Sequence, residues 1–346
     1  MNGKNESEEK PRIIAFGKER DRKAYHGARS GEFFSVVGAL LGSSSRWFDK
    51  ASVSLDGGVS GLISDAATFF RAIPCIIFYG IYWLLNVGKY EELKRDSSKW
   101  VGWGVIGSMA IGGVISQIAV LLYFQGFTIA GLIMTLPFVT TFNILLRTIF
   151  AQAFLKEKYT PKVWLGVAIA ILGLVVVSYG EAGGNWGTII GTASIIGPVI
   201  AFLSAICFSV SGVFRKWSMQ YGRLPAAPSA VLRYGFGNIA IIIIMAGMGT
   251  IGALWSSLPL AIMLVMISGI IGVTVGAVIN MVGTARTTHA RSGIIVNTLN
   301  SVLGSLGGWA IFGEFLNEVM VLGIVIAAVG TSVVLMSREL AQSAKK

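Results

Sequence analysis

The chain has 346 residues, of which 54% are hydrophobic and 13% charged, with a mean hydropathy of +0.71 and a formal net charge of +11. A soluble globular protein carries roughly 25% charged residues, so this composition excludes a soluble domain and indicates an integral membrane protein. The two cysteines, Cys75 and Cys207, sit in apolar stretches and give no basis for a disulfide framework or a zinc site. The basic residues lie in tails and short loops, which reads as orientation in a bilayer and not as nucleic-acid binding.

In chain order, residues 1–31 form a hydrophilic basic tail, too long and too acidic for the charged region of a cleaved signal peptide, and are expected to be cytosolic and flexible. A membrane helix needs about 20 mostly apolar residues. Residues 33–55 are the weakest candidate, because they contain Arg46, Asp49 and Lys50. Residues 62–87 give a second span despite Arg71. Residues 100–146 carry no charge, are too long for one helix, and are expected to break at QGFTIAG (125–131) into a third and fourth span. Residues 161–179 and 191–214 give one span each. Residues 234–285 are again uncharged and are expected to break around GTIGALWSSLP (249–259). Residues 292–312 and 319–337 complete the set. The runs lack the alternation of a membrane barrel, so the expected fold is all-α, polytopic, with ten transmembrane helices.

The sequence contains an internal repeat. KEKYTPKVWLGVAIAILG (156–173) and GEFLNEVMVLGIVIAAVG (313–330) place Glu157, Gly166 and Gly173 on Glu314, Gly323 and Gly330 at a constant offset of 157. Extended leftward, the same offset pairs Asn143 with Asn300, Thr141 with Thr298, Gly126 with Gly283 and Gly112 with Gly269. With small loop gaps Arg71 falls on Arg233, and ALLGSSSRWFDK (39–50) falls on AICFSVSGVFRK (205–216). Each half therefore has five helices, which admits the charged first span. An odd repeat must enter the membrane inverted the second time. With the N-terminus inside, the inner loops hold Lys89, Lys94, Arg95, Lys99, Lys156, Lys158, Lys162, Arg215, Lys216, Arg223, Arg286 and Arg291, whereas the outer loops after helices 3, 5, 7 and 9 hold no Lys or Arg. That asymmetry is the positive-inside pattern. It explains why the leading loop of the repeated helix is basic once and acidic once. The expected layout is a cytosolic basic tail at 1–31, a first five-helix repeat at 32–180, a second at 188–337 and a cytosolic tail at 338–346, in the plasma (inner) membrane.

Inverted repeats meeting at the midplane are a device of secondary transporters. The Glu after helices 4 and 9, the apolar–Gly–apolar–Gly helix that follows, Arg71 and Arg233, Lys50 and Lys216, and LYFQGFTIAGLIMTLPFVTTFN (122–143) together resemble the EamA-type drug/metabolite transporter superfamily over about residues 32–337. Two features depart from the pattern: Ile294 stands where the first half has Pro137, and the ARTTHARS link is unusually basic. The resemblance implies a central cavity, lined by the first four helices of each half, that opens alternately to the two sides.

Charged residues inside spans are expensive and usually face a cavity. Arg71 and Arg233, related by the repeat, are the leading substrate contacts, against a structural role on backbone carbonyls. Arg46 and Lys50 are one turn apart on one face, and Lys50 and Asp49 also have the option of snorkelling to the outer interface. Arg147 precedes the KEK loop by nine residues and has the same two readings. Asn143, Asn300, Gln117, Asn280, Asn297 and Tyr123 are the uncharged candidates, against simple interhelical hydrogen bonding. Trp47 and Trp309 are read as packing or interfacial anchors before ring-stacking ligands. GWGVIG (102–107) fits G-x-G-x-x-G, but it lacks a preceding strand and is read as close helix packing, as are Gly272/Gly276 and Gly304/Gly308.

The sequence thus predicts a secondary transporter for a small polar organic metabolite, an amino acid or another carboxylate- or phosphate-bearing solute, working by efflux or exchange. The alternative is a non-transporting sensor or assembly subunit on the same fold. No catalytic motif, cofactor or metal is expected. His26 and His289 lie outside the spans, and only Asp49 and Asp65 qualify for proton coupling. The implied partners are the solute and the lipid bilayer, with a homodimer left open and no nucleic acid.

Overall fold

The computed structural model describes residues 13–15, 18–20, 28–54, 64–86, 103–155, 159–181, 196–220, 224, 226–257, 259–287, 289–312 and 317–336. The loop cations Lys89, Lys94, Arg95, Lys99, Lys156, Lys158 and Arg223, the acids Glu157 and Glu314, His26 and the C-terminal tail lie outside them. In the N-terminal tail, β1 (Ile13–Ala15) and β2 (Lys18–Arg20) pair as a short antiparallel hairpin, where the sequence was read as flexible throughout. The rest is helical: α1 (Ala28–Ser54), α2 (Ser64–Leu85), α3 (Trp103–Leu155), α4 (Pro161–Glu181), α5 (Ile196–Gln220), α6 (Ala226–Met248), α7 (Ala253–Ser256), α8 (Pro259–Ser268), a π-helical segment (Gly269–Ala277), α9 (Val278–Arg286), α10 (His289–Phe312) and α11 (Glu318–Met336).

Among the described residues seven helices are long and apolar enough to cross a membrane, and Val139–Leu155 and Glu318–Val334 are shorter apolar helices. The molecule has the inside-out polarity of a membrane protein. Leu84, Leu85, Trp103 and Met336 are at least 74% exposed, while Ser43, Asp49, Thr68, Ser204 and Ser268 are fully buried. Helix α1 is not among the seven. It packs its polar residues against α8, α9, α10 and the π segment, and that burial explains how a charged helix belongs to the bundle.

The break expected at QGFTIAG occurs, although residues 103–155 are helical throughout. A Cβ on Gly126 would lie 2.6 Å from Thr135 Cγ2. A straight helix would hold residues nine apart roughly 13 Å apart. The chain therefore folds back between them, and α3 has two arms, 103–126 and 139–155. The second break is a glycine C-cap. Gly249 takes φ +72°, Thr250 N–H donates to Met245 O at 2.9 Å and Gly249 N–H to Ala246 O at 3.3 Å. This is the paired-bond ending that a glycine in the left-handed region permits.

Two sets of helix contacts recur with their partners exchanged under the repeat, the first in an antiparallel helix pair. In α4 and α11, a Cβ on Gly166 would lie 2.8 Å from Gly330 O, and one on Gly323 would lie 2.7 Å from Gly173 O. Small residues at such crossings let backbones approach closely. Gly272 and Gly276 serve the same purpose against α1, facing Ser45 and Gly38. Gly104 and Gly107 do not: a side chain there would meet nothing within 4 Å, so these two are not packing glycines, and Gly102 of the motif lies outside the described residues. The reason is that the start of α3 faces outward, with Trp103 79% exposed. The second exchange involves hydroxyls. Ser43 Oγ donates to Asn300 Oδ1 at 2.7 Å, and Ser209 Oγ donates to Asn143 Oδ1 at 3.0 Å.

Candidate functional site

A cavity of about 160 Å³ lies between α1, α2, both arms of α3, α5, α6, the π segment, α9 and α10. Helices α4 and α11 contribute nothing to it, because they spend their small-residue faces on each other. Arg46, Arg71, Arg147, Arg215 and Arg233 all line it. So do Gln117, Tyr123, Asn143, Asn280, Asn297 and Asn300. Ten of the eleven candidates named from the sequence therefore converge on one space. Lys50 does not line it. It sits one turn beyond Arg46, about 6 Å further along α1 by helical rise, past the cavity's edge.

The arginines form two groups. At one end Arg46 Nη1 donates to Tyr123 Oη, with its guanidinium 5.1 Å from the Tyr123 ring centroid. Arg71 Nε donates to Ser268 Oγ at 3.2 Å, and its Nη2 lies 3.4 Å from Ser45 Oγ and 3.1 Å from Asp49 Oδ2. Ser268 Oγ in turn donates to Asp49 Oδ1. Asp49 is fully buried, and its Oδ2 has the ion-pair contact without an aligned hydrogen bond. At the other end lie Arg147, Arg215 and Arg233, at 7%, 4% and 7% exposure. Arg233 Nη2 donates to Ser116 Oγ and its guanidinium lies 5.3 Å from the Tyr234 ring centroid. Arg147 Nε and Nη1, Arg215 Nε and Nη2, and Arg233 Nε are buried without a hydrogen-bond partner among the described residues.

The amides bind neighbours as well as facing the cavity. Asn143 Nδ2 donates to Asn297 Oδ1 at 3.3 Å, and Gln117 Nε2 donates to Asn238 Oδ1 at 2.8 Å. Asn280 Oδ1 accepts from Ser292 at 3.3 Å. The structural and ligand-facing readings of these residues therefore coexist. Trp47 packs its indole onto Gly307, and Trp309 is 54% exposed; neither lines the cavity. The π segment contributes Gly272, Val273, Gly276 and Ala277. Among the described residues no group of three or more His, Cys, Asp or Glu is placed to hold a metal ion.

No protein-family model matches the chain. A crystal structure without a functional description superposes at TM-score 0.65 and 17% identity, covering 89% of this chain and 98% of its own, which establishes the fold as a known one. A curated protein is 31% identical over 90 residues, 26% of this chain and 73% of its own length: the probable 4-amino-4-deoxy-L-arabinose-phosphoundecaprenol flippase subunit ArnE of Hamiltonella defensa subsp. Acyrthosiphon pisum (strain 5AT). The chain belongs to the drug/metabolite transporter family. It is an integral membrane protein of transporter type, and its relative is a flippase subunit rather than an enzyme.

In this drug/metabolite transporter, sequence reasoning missed Arg215 as a site residue. Arg215 was assigned to an inner loop with Lys216 and Arg223, where the positive-inside pattern accounts for it equally well. The repeat held the available signal: 39–50 on 205–216 sets Arg215 within a helix. Thr68, Ser116 and Thr140 were missed too, and small hydroxyls carry no distinguishing sequence signal, because they satisfy themselves on helix carbonyls as readily as on a ligand.

Proposed function

We propose that this chain is an EamA-type carrier of ten membrane helices, two inverted five-helix repeats at 32–180 and 188–337, with both termini cytosolic in the plasma (inner) membrane. It moves a small anionic organic metabolite by alternating access. The observation that carries the substrate class is the charge of the cavity: among the described residues five arginines line it, and the one carboxylate paired with them is Asp49. An unpaired buried guanidinium is costly, and a carboxylate or phosphate relieves that cost through charge-assisted, bidentate hydrogen bonds. The repeat reading is supported by the exchanged contacts Gly166–Gly330 with Gly323–Gly173 and Ser43–Asn300 with Ser209–Asn143. A contact that recurs with its partners exchanged is what a two-fold relation requires.

Drug-sized ligands occupy roughly 300–1,000 Å³, and about 160 Å³ suits a small solute or the headgroup of a larger one. The headgroup reading is favoured by the flippase relative. The test is transport by reconstituted protein bearing Arg71→Gln or Arg233→Gln. Each is expected to lower anion transport at least about tenfold, the scale of one lost charged hydrogen bond. Unchanged rate and affinity in both would refute the reading.

A further inference from the structure

The repeat relates the two arginine groups, and the relation is broken at one position. Aligning 39–50 with 205–216 sets Asp49 on Arg215 and, separately, Arg71 falls on Arg233. In the first half the acid meets the arginine: Asp49 lies 3.1 Å from Arg71. In the second half the equivalent position supplies a second cation. Among the described residues Arg233 keeps only the Ser116 hydroxyl and the Tyr234 ring. Among the described residues Arg147 and Arg215 make no hydrogen bond or ion pair, although both are more than nine-tenths buried. The positive charges of Arg147 and Arg233 act on Arg215, so the three form one electrostatic group. They also line one cavity.

Resting on the carrier reading above, we propose that Arg147, Arg215 and Arg233 form a phosphoryl-binding site, in which a phosphate monoester replaces the counterion that Asp49 supplies to the other half. Three guanidiniums offer up to five N–H donors each. A phosphate monoester carries about −1.5 to −2 charge at pH 7 and three acceptor oxygens. A carboxylate brings one charge and two oxygens, which leaves most of these donors unanswered. The Arg71–Asp49–Ser268 cluster already contains one carboxylate, so its demand for a further anion is smaller. It leaves Arg46 and the cavity amides for the uncharged remainder of the solute. The phosphoryl group belongs either to a free metabolite or to a lipid headgroup, and both satisfy the same site.

The test is the unfolding midpoint of the purified full chain, at constant ionic strength. Its soluble arms are inorganic phosphate, glycerol 3-phosphate, succinate and acetate. A further arm uses nanodiscs with and without phosphatidic acid. Arg215→Asp restores in the second half the pairing of the first, so it is expected to raise the ligand-free midpoint and abolish the phosphate response. A destabilised fold does not produce those opposite signs together. If Arg215→Asp instead lowers the midpoint, Arg147→Gln decides: a loss of apparent phosphate affinity of about tenfold or more supports the site and full retention overturns it. A shift with both soluble phosphates supports a metabolite, and a shift confined to phosphatidic acid nanodiscs supports a headgroup. A shift with succinate or acetate and none with any phosphate overturns the phosphoryl assignment while leaving an anion carrier standing. Phosphate binding that survives Arg215→Asp overturns the site. No response to any anion, alongside transport of neutral or cationic solutes, overturns this site and the carrier's substrate class together.

Discussion

Gly173→Ala is expected to separate α4 from α11 and destabilise the protein. The added Cβ would lie 2.6 Å from Gly323 O and against the Ala327 backbone. Even a favourable carbon–oxygen contact sits at about 3.3–3.6 Å, so the helices must part by roughly 0.7–1 Å. Neither obstacle is a side-chain tip able to swing away; both are backbone. Overpacking of this kind costs about 1–3 kcal/mol. The assay is the thermal unfolding midpoint of the detergent-purified chain. Gly235→Ala serves as the reference, because a side chain there would meet nothing within 4 Å, and replacing an unconstrained mid-helix Gly with Ala should stabilise by up to about 1 kcal/mol. The two substitutions are predicted to move the midpoint in opposite directions. Gly330→Ala, the repeat mate of Gly173, should match Gly173→Ala, and Gly323→Ala should match Gly166→Ala. If Gly173→Ala raised the midpoint as Gly235→Ala does, the helices would not meet there and the two-fold relation would lose its main support.

The remaining predictions concern the cavity and its walls. Asp49→Asn leaves Arg71 beside a neutral amide that still accepts from Ser268; breaking a buried pair outright costs about 3–5 kcal/mol, so a loss below that is expected in the unfolding midpoint, accompanied by stronger anion binding at the freed Arg71. Ser43→Ala and Ser209→Ala each remove one hydroxyl bond to a paired Asn, and each should cost about 0.6–2 kcal/mol, similar in size for the two; unequal losses, one absent, would break the symmetry argument. Lys50→Gln should leave substrate affinity unchanged in the transport assay, because Lys50 lies outside the cavity lining.

Much of this arrangement was legible in the sequence because bilayers impose simple rules. Uncharged runs of about 20 residues must span, and QGFTIAG and GTIGALWSSLP marked real reversals, where Gly126 admits Thr135 and Gly249 takes a positive φ. Arg71, Arg233, Asn143 and Asn300 were recognisable because polar groups in hydrocarbon are rare and the repeat put them in register. Arg215 was not, because a cation near a helix end satisfies both the loop reading and the cavity reading until the facing side of the helix is known. Lys50 failed for the converse reason: it shares a face with Arg46 but lies a turn too far along the axis. The π segment, Gly269–Ala277, leaves no signature in its composition, since the same small apolar residues form an ordinary helix elsewhere in the chain.

The most direct measurement is solute release from proteoliposomes containing the full chain, loaded with amino acids, organic acids, sugar phosphates and sugars, followed by mass spectrometry against empty vesicles. The account predicts selective loss of anionic solutes, with the phosphorylated class first, and retention of the neutral sugars. Loss of neutral or cationic solutes with the anions retained would contradict it.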